Sequence, residues 1–409
     1  MRIWLINEGE PLPIDSTNDR LQRMGILATM MAKRGDSVTW FHSSFHHYRK
    51  EQRCKKDTII EKNGIKYILL YALSYKRNLS LQRILHHKIT AKHFVECSKA
   101  ETKPDIIVCA MPTIELTQSA VEYAQNNNVP IVIDIRDLWP DIYKEVVPGF
   151  VRPLVSFYSI IIKKKLSSYL KNATAIFSLT DSFLKWGLEL IGREINENDS
   201  VFRMGYTHEN IINFSTNIRE NLKISSGDFV ICFFGTLSMM FNFEPIIESA
   251  KILINHKNIK FIICGDGKAL PELKKKTGGL SNIHFLGWVN REAIQEILSF
   301  SSLGIAPYIN SENFIKNVPN KFAEYLSAKL PVLLGISGEM ELLITKNNCG
   351  LKYNSAQNLA DQIVFLYKNN SICKEMSDNA FALYNKEFDA NIVYTDYINK
   401  LEKISLNID

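Results

Sequence analysis

The chain alternates short apolar runs of strand length with longer helical patterns, and this alternation occurs in two successive series. Apolar runs that are separated by helices are typical of parallel strands, which helices cover on both faces. Parallel sheets bind their ligands at the carboxyl ends of the strands. The sequence therefore predicts an α/β fold made of two doubly wound domains.

Each half of the chain supplies one set of predicted strands. These strands are 2–6, 37–42, 58–60, 65–69, 105–110, 130–135 and 174–179 in the first half, and 229–235, 259–264, 283–287, 303–307 and 331–335 in the second. The polar stretch 192–200 lies between the two sets. We expect a first domain at 1–200, a second at 201–388 and a closing helix at 389–409. The amphipathic pattern of that helix is compatible with packing on the first domain.

Positive charge is concentrated in the first half. The net charge of the 409 residues is +6, and residues 1–200 carry 28 basic and 22 acidic side chains while the remainder is balanced. The segment 44–104 is the most basic part. This asymmetry suggests that the first half faces an anionic surface or ligand, although ordinary solvated charge is the alternative.

Cysteine usage and hydropathy bear on location. Seven cysteines show no C-x-x-C pair, and Cys109, Cys232 and Cys264 fall in predicted strands. Buried thiols in a reducing compartment explain this pattern better than disulfides or zinc. No run of about 18 apolar residues is present, and the N-terminal start is too short and too acidic for a signal peptide. We expect a cytoplasmic protein.

A lysine occupies the first turn of a predicted helix that directly follows a strand. In the stretch 303–341 we predict a helix from 319 to 329, with Pro319 in its first turn. Lys321 then lies where the helix dipole disfavours a cation, and Glu324 lies on the same face. A cation there is explained if an anion such as a phosphate docks at the helix. The alternative is a weak surface pair between Lys321 and Glu324.

Charged residues also follow the predicted strand 130–135. Arg136, Asp137 and Asp141 come directly after it, at the end where α/β enzymes place their chemistry. The alternative is a structural loop in which Asp137 caps a helix and Arg136 pairs with Asp141. We also expect that the loop after the first strand forms one wall of a ligand-binding site.

The loop after the first strand and three glycines at strand ends complete the set of candidate residues. Gly9 lies in the first loop, and Arg20 and Arg23 are predicted one turn apart on the next helix, although no G-x-G-x-x-G is present. Gly235, Gly265 and Gly267 follow strands, as close approach to a ligand requires, although turns alone also favour glycine. The segment 152–171 is read as a domain helix with a basic outer face, with interfacial membrane contact as the alternative.

The motifs taken in order resemble glycosyltransferase family 4. FFGTLS, FIICGDG…PELKKK, IHFLGWV and GIAPY…PNKFAEYLSAKLPV…GE resemble its donor half, and IVIDIRDLWPD resembles a bacterial subgroup that builds capsule, O-antigen or exopolysaccharide. The resemblance implies the GT-B fold, with two Rossmann-like domains facing across a cleft. It covers nearly the whole chain.

The resemblance assigns roles to residues at matching positions. Glu324 matches the second Glu of the E-x7-E motif, which is expected to hold the ribose, whereas the first Glu falls at Lys316. Lys321 matches the lysine expected to bind the diphosphate, and Asp137 falls where an active-site His or Asp often stands. The implied donor-binding residues are Gly235, Thr236, Gly265, Asp266, Gly267, Trp288, Pro307, Asn320, Lys321 and Glu324. The implied catalytic residues are Asp137, Arg136, Lys321 and Glu324, and the acceptor-binding residues are Glu8, Gly9, Arg20, Arg23 and Asp141.

The resemblance implies a retaining hexosyl or N-acetylhexosaminyl transferase. The expected donor is a nucleotide-diphosphate sugar, UDP-linked, and the expected acceptor a polyprenyl-diphosphate-linked saccharide. Peripheral contact with the anionic inner face of the cytoplasmic membrane is expected, with the cluster Lys163, Lys164 and Lys165 contributing. No nucleic acid or cofactor is expected. No aspartates stand at D-x-D spacing, so we expect transfer without a metal. The alternatives are a GT-B sugar-nucleotide epimerase and a non-catalytic subunit that binds nucleotide-sugars.

Overall fold

A computed structural model describes residues 1–15, 20–78, 80–208 and 214–406 of the chain. It divides into two compact units, which are Met1–Arg203 together with Val393–Asp409, and Met204–Ile392. Each unit has its own sheet and its own helices. Within the described ranges, every helix is too short or too polar to span a lipid bilayer.

The first unit is built on an eight-stranded sheet. Its elements are β1 (Arg2–Ile6), α1 (Arg23–Lys33), β2 (Ser37–Ser43), β3 (Phe45–His46), β4 (Glu51–Gln52), β5 (Thr58–Lys62), β6 (Ile65–Leu70), α2 (Leu81–Ser98), β7 (Ile106–Met111), α3 (Ile114–Asn126), β8 (Ile131–Ile135), α4 (Tyr143–Val146), α5 (Arg152–Leu170), β9 (Ala175–Ser178), α6 (Asp181–Ile191) and β10 (Ser200–Val201). The strand order is β10-β9-β8-β7-β1-β2-β6-β5, while β3 and β4 pair separately. All neighbours in this sheet are parallel except β5 and β6.

The second unit is built on a six-stranded parallel sheet. Its elements are α7 (Ile218–Asn221), β11 (Phe229–Phe234), α8 (Glu244–Ile252), β12 (Ile259–Cys264), α9 (Leu270–Lys276), β13 (Ile283–Gly287), α10 (Arg291–Phe300), β14 (Leu303–Ala306), α11 (Glu312–Lys316), α12 (Asn320–Ser327), β15 (Val332–Leu334), α13 (Glu339–Lys346), β16 (Gly350–Lys352), α14 (Ala356–Lys368) and α15 (Asn370–Glu387). The strand order is β13-β12-β11-β14-β15-β16. The last helix, α16 (Ala390–Leu406), ends in the first unit.

Both sheets reverse their winding next to their first strand. In the first unit β1 lies between β7 and β2, and in the second β11 lies between β12 and β14. The central strands carry Ile, Val, Phe and Cys side chains that are buried on both faces. A parallel sheet of this topology opens a crevice at the carboxyl ends beside the first strand, which is where its ligands bind. The search for a site therefore begins at the residues that follow β1 and β11.

The cysteines follow the prediction. All seven are free thiols, and Cys109, Cys232 and Cys264 are fully buried in strands. Burial raises the pKa of the Cys109 and Cys232 thiols to about 12, so both stay protonated at neutral pH.

Two helix starts differ from the prediction. Helix α1 begins at Arg23, so Arg20 lies before the helix and not one turn from Arg23 upon it. Pro319 has extended backbone angles and precedes α12, which ends at Ser327. Lys321 is still in the first turn of α12, because the helix begins at Asn320.

Candidate functional site

The side chain of Lys321 lies over the carboxyl end of β11. A Cβ atom placed on Gly235, the residue that follows this strand, would lie 2.5 Å from both Cε and Nζ of Lys321. Gly235 also has a φ of +144°, a conformation that other residues rarely adopt. Glycine at this position therefore leaves the space that the lysine side chain occupies.

Aromatic rings surround the Lys321 ammonium. Its Nζ lies 4.7 Å from the ring centroid of Phe241, 5.5 Å from that of Phe233 and 5.9 Å from that of Tyr308. Ring faces attract a cation but supply no counter-charge. Burial lowers the pKa of Lys321 from 10.5 to about 8, and the Glu324 carboxylate opposes this shift only in part. The ammonium is thus a poorly compensated cation at the crevice of the sheet.

Two further polar groups lie beside this lysine. Glu324 is one turn further along α12 and is only 8% exposed, so a surface pair between Lys321 and Glu324 is ruled out. Tyr308 follows β14, and its hydroxyl is buried with no hydrogen-bond partner among the described residues. A buried hydroxyl without a partner is costly unless a ligand supplies one. This hydroxyl can donate to an anion that reaches Lys321.

The glycines after β11 and β12 pack against each other. A Cβ atom on Gly265 would lie 1.8 Å from the Gly235 carbonyl oxygen, and one on Gly267 would lie 2.2 Å from the Leu237 carbonyl oxygen. The Gly235 N–H donates to the Cys264 carbonyl at 3.0 Å. The close approach that these glycines permit is therefore between two loops. Packing between the loops, and not approach to a ligand, therefore explains glycine at Gly265 and Gly267.

The other predicted donor residues follow the same strands. Thr236, Asp266 and Asn320 are exposed, and Pro307 is buried after β14. The indole of Trp288, which follows β13, is 76% exposed. All of them stand at the carboxyl edge of the second sheet, which is the arrangement that the sequence predicts. Their contacts with a donor stay a prediction.

In the first unit, Glu8 forms a buried hydrogen bond at the carboxyl end of β1. Its Oε1 lies 3.0 Å from Nε2 of His87, a residue of α2. The same nitrogen accepts from Nε of Arg83 at 3.3 Å, so it carries no proton of its own. With Nε2 as the acceptor, the proton of the contact belongs to Glu8. Burial raises the pKa of Glu8 to about 8 and lowers that of His87 to about 2, which favours the same neutral pair.

An aromatic and acidic cluster lies around this pair. Nδ1 of His87 lies 3.9 Å from Oε2 of Glu115, in the first turn of α3. The Trp139 ring centroid lies 5.9 Å from that of His87 and 4.9 Å from Cζ of Arg83. The ring of Tyr143 packs on Trp139 at 5.1 Å. Aromatic faces combined with carboxyl, imidazole and guanidinium groups can bind a hydroxylated ligand.

Asp137 belongs to the same edge, two residues after β8. Its Oδ1 accepts from the N–H of Leu138 at 3.0 Å. Burial raises the pKa of Asp137 to about 6, while this hydrogen bond and Arg83 oppose the shift. A carboxyl group that titrates near neutral pH can accept or donate a proton in a reaction.

A different network holds Arg23 and Arg136. Nη1 of Arg23 lies 2.7 Å from Oδ1 of Asp134, and both side chains are fully buried. Arg136 pairs with Asp134 at 2.9 Å and also with Glu10. The prediction that Arg23 binds the acceptor is wrong, because its guanidinium is enclosed in the core. The alternative pairing of Arg136 with Asp141 is also wrong, and the two carboxylates that hold Arg136 favour a structural role.

The remaining predicted residues of the first unit have separate surroundings. Asp141 accepts from Nε1 of Trp186 at 2.9 Å and pairs with Lys163. The N–H of Gly9 donates to Nε2 of His42 at 3.2 Å, and Arg20 is exposed. Lys163 therefore pairs with Asp141 while its side chain stays partly exposed, and its contact with a membrane stays a prediction.

Four residues of these two clusters are not predicted from the sequence. They are His87, Arg83, Glu115 and Tyr308. The spacing of Arg83 and His87 places them on one helix face, and Glu115 stands in the first turn of the helix that follows β7. Both signals can be read from the sequence, but neither shows that the two helices meet. In the described part of the chain, no group of three or more His, Cys, Asp or Glu side chains is placed to hold a metal ion.

Part of the chain matches a known protein family. Residues 228–369 match the family model of glycosyl transferases group 1, and this stretch lies wholly in the second unit. No curated protein sequence matches the chain at a significant level. The loops that carry Gly235 and Gly265 and the helix that carries Lys321 and Glu324 all lie inside the matched stretch.

Solved structures resemble the chain over almost its whole length. Sucrose-phosphate synthase from Thermosynechococcus elongatus has a TM-score of 0.72 at 14% identity and covers 98% of each chain. HepE from Anabaena, solved in complex with UDP, has a TM-score of 0.67 at 14% identity and covers 98% of this chain and 100% of its own. WaaG, a glycosyltransferase involved in lipopolysaccharide biosynthesis, has a TM-score of 0.63 at 15% identity. The match covers 98% of this chain and 99% of WaaG.

These matches confirm the predicted fold class. At such low identity the structural likeness establishes the fold, while the family match places the enzymatic domain in the second unit. The chain is a glycosyltransferase of the GT-B fold, and its second unit carries the group 1 domain.

Proposed function

We propose that this glycosyltransferase moves a hexosyl or N-acetylhexosaminyl group from a UDP-sugar to a lipid-linked saccharide, with retention of anomeric configuration. The proposal includes membership of family 4 and a role in bacterial surface-polysaccharide biosynthesis at the inner face of the cytoplasmic membrane. Its main support is the ammonium of Lys321, which lies poorly compensated at the first turn of α12 and over Gly235.

The chemistry explains why such a cation is useful. Departure of a nucleoside diphosphate develops negative charge on two phosphates, and cations or helix N-termini must stabilise it. Lys321 and the first N–H groups of α12 supply both at one place. HepE was solved with UDP and with UDP-glucose, which supports a UDP-sugar as the donor here. We propose that the reaction needs no metal, because Lys321 takes the place of the ion.

Neighbouring side chains complete the proposed donor site. Glu324 would accept hydrogen bonds from the ribose hydroxyls, and the exposed indole of Trp288 would stack against the base. The hydroxyl of Tyr308 would donate to a phosphate oxygen and so gain the partner that it otherwise lacks. Asn320 and Thr236 stand at the same edge and would contact the diphosphate.

The first unit supplies the proposed acceptor site. Asp137, with its pKa near 6, would accept the proton of the attacking hydroxyl. Trp139 and the Glu8–His87 pair would position the acceptor saccharide. The basic first half and the structural likeness to WaaG, whose pathway builds lipopolysaccharide, support an anionic lipid-linked acceptor.

A panel of nucleotide-sugars tests the proposal by thermal shift. A donor at about 100 times its Kd should stabilise the protein by about 2.7 kcal/mol, and UDP-sugars should give the largest shift. Lys321→Met should abolish the shift, whereas Lys329→Met, an exposed lysine just beyond the same helix, should keep it. Equal shifts in wild type and Lys321→Met would refute the assignment of the diphosphate site.

The best donor then tests the reaction itself. With a polyprenyl-diphosphate saccharide, NMR should show a product with the anomeric configuration of the donor, in the presence of EDTA as well. Isomerisation of the donor without any acceptor would indicate the epimerase, and binding without turnover on any acceptor would indicate a non-catalytic subunit. An inverted product would remove the proposal of retention.

A further inference from the structure

Helix α5 presents an unusual outward face. Its inward face carries Ser159, Leu166 and Leu170, which are buried where α5 packs on α3 and α6. On the opposite side, large apolar side chains stand in solvent. A helix that only covers a sheet would carry polar side chains there.

The exposed apolar side chains form one stripe. Phe150, in the 3-10 turn before α5, is 85% exposed, and Leu154, Phe157 and Ile161 are 74%, 65% and 52% exposed. Their spacing of four, three and four residues places them along one side of the helix. Ile160 beside them is 64% exposed. Isolated exposed apolar residues are normal, but a continuous stripe of four marks an interaction surface.

Positive charge continues the same side of the helix. Lys164, Lys165 and Lys171 are exposed, and no acidic residue occurs between 146 and 180. The apolar stripe therefore passes directly into a basic end, with no negative charge nearby in the sequence. A surface that combines these two features complements apolar chains below an anionic layer.

We propose that this face of α5, defined by Phe150, Leu154, Phe157, Ile161, Lys164 and Lys165, lies in the interfacial region of an anionic lipid bilayer. The four apolar side chains enter the boundary between headgroups and acyl chains, and the lysines contact the anionic headgroups. This inference rests on the membrane location in the proposed function and names the surface that provides it. The interaction needs neither donor nor acceptor, so its failure would leave the proposed transfer reaction untouched, and the reverse also holds.

Binding to vesicles is the direct test. The full chain should partition onto phosphatidylglycerol vesicles more strongly than onto phosphatidylcholine vesicles. Replacing the stripe by Phe150→Ser/Leu154→Ser/Phe157→Ser should lower the partition coefficient at least about 100-fold. Lys164→Gln/Lys165→Gln should lower it about 30-fold on anionic vesicles and leave neutral vesicles unaffected.

Matched variants control for general changes in surface. Ile59→Ser/Ile195→Ser removes two exposed apolar side chains elsewhere in the first unit, and Lys374→Gln/Lys386→Gln removes two exposed lysines of α15. Both controls should partition as wild type does. Equal partition of the wild type and both α5 variants would overturn the proposal.

A conservative substitution keeps the proposal testable if the serine variant does not fold. Phe157→Trp places an indole in the stripe, whereas Phe365→Trp places one on α14 in the second unit, where the side chain is 45% exposed. Brominated anionic lipids should quench the added emission of Phe157→Trp and not that of Phe365→Trp. Absence of quenching at Phe157→Trp would overturn the proposal. So would a concentration-dependent dimer that the stripe variant abolishes, because that would assign the face to a second copy of the chain.

Discussion

Each unit places a buried ionisable group at the carboxyl end of its first strand. The group is a carboxyl in the first unit and an ammonium in the second. Glu8 follows the first strand of one sheet, and Lys321 lies over the end of the first strand of the other. Burial moves both pKa values to about 8, upward for the carboxyl and downward for the ammonium. Glu8 is therefore neutral at pH 7, whereas Lys321 keeps its charge.

The surroundings explain why the outcomes differ. Glu8 has found a partner, because its proton meets the bare nitrogen of His87. Among the described residues, ring faces and the Glu324 carboxylate lie near Lys321, so its charge is compensated only in part. A neutral, hydrogen-bonded crevice suits a hydroxylated ligand, while a crevice with a poorly compensated cation suits a diphosphate. Under the proposed function, the same topology would serve the acceptor in one unit and the donor in the other, according to the charge beside its first strand.

The largest expected effect concerns Asp137, the proposed proton acceptor of the first unit. Asp137→Asn keeps the hydrogen bond from Leu138 but removes the basic oxygen, so kcat should fall by about 10²–10⁴-fold with unchanged donor affinity. Wild-type activity should decline as the pH falls through about 6, where Asp137 becomes protonated. Asp181→Asn, an exposed carboxylate of the same unit, is the control. Steady-state kinetics check both effects, and wild-type turnover in Asp137→Asn would leave only a structural role.

The next effect tests whether Glu8 carries a proton. Its folded pKa of about 8 exceeds the ordinary value of 4.5, so the native state binds an extra proton between these pH values and loses stability as the pH rises. Glu8→Gln mimics the protonated form. It should raise the free energy of unfolding by up to about 3 kcal/mol at pH 7 and by nothing below pH 4.5.

Glu10→Gln, the same substitution two residues further on, should instead lower the free energy of unfolding. Glu10 pairs with Arg136 in the buried network, so Glu10→Gln leaves a buried cation with less compensation and should destabilise the protein. Denaturant titrations at pH 5 and pH 8 measure both variants. Destabilisation by Glu8→Gln at pH 8 would show that Glu8 is ionised in the native state and would break the contrast with Lys321.

A smaller effect tests the space over Gly235. Gly235→Ala puts a Cβ atom 2.5 Å from the present position of the Lys321 ammonium, so the lysine must move. Donor affinity should fall about 100-fold, which is the loss expected when a buried charge contact is removed. Gly279→Ala is the matched control, since Gly279 also has a positive φ but has no atom within 4 Å of its added Cβ. Calorimetry measures the affinity of both variants for UDP. Equal affinities of Gly235→Ala and Gly279→Ala would contradict the proposed diphosphate site.

Strand positions were readable from the sequence because buried parallel strands are almost wholly apolar. The start and end of β12 and β13 agree with the prediction, and Lys321 was found because a cation in a first helical turn is locally unfavourable. Lys321 and Asp137 could thus be singled out from position alone. Their protonation behaviour could not, because it depends on burial.

Contacts between distant segments were not readable. Arg23 and Asp134 are 111 residues apart, and nothing in either local pattern shows that they share a buried pair. The aromatic side chains around Lys321 likewise come from distant segments, Phe233 from strand β11 and Phe241 and Tyr308 from two loops. Such contacts arise from strand order and from loop packing, which a periodic pattern does not encode.

The smallest effect follows from the pKa of Lys321 in the free protein. A bound diphosphate stabilises the ammonium, so the donor complex keeps it charged to a higher pH than the free protein does. Between pH 8 and about 10 the free lysine is mostly neutral, and binding must take up a proton. Donor affinity should therefore fall by about tenfold, or about 1.4 kcal/mol, for each pH unit above 8. Below pH 8 it should be flat with respect to this group. Lys321→Gln should bind weakly with no slope in this window, whereas a slope that persists in the variant would assign the titration to another group.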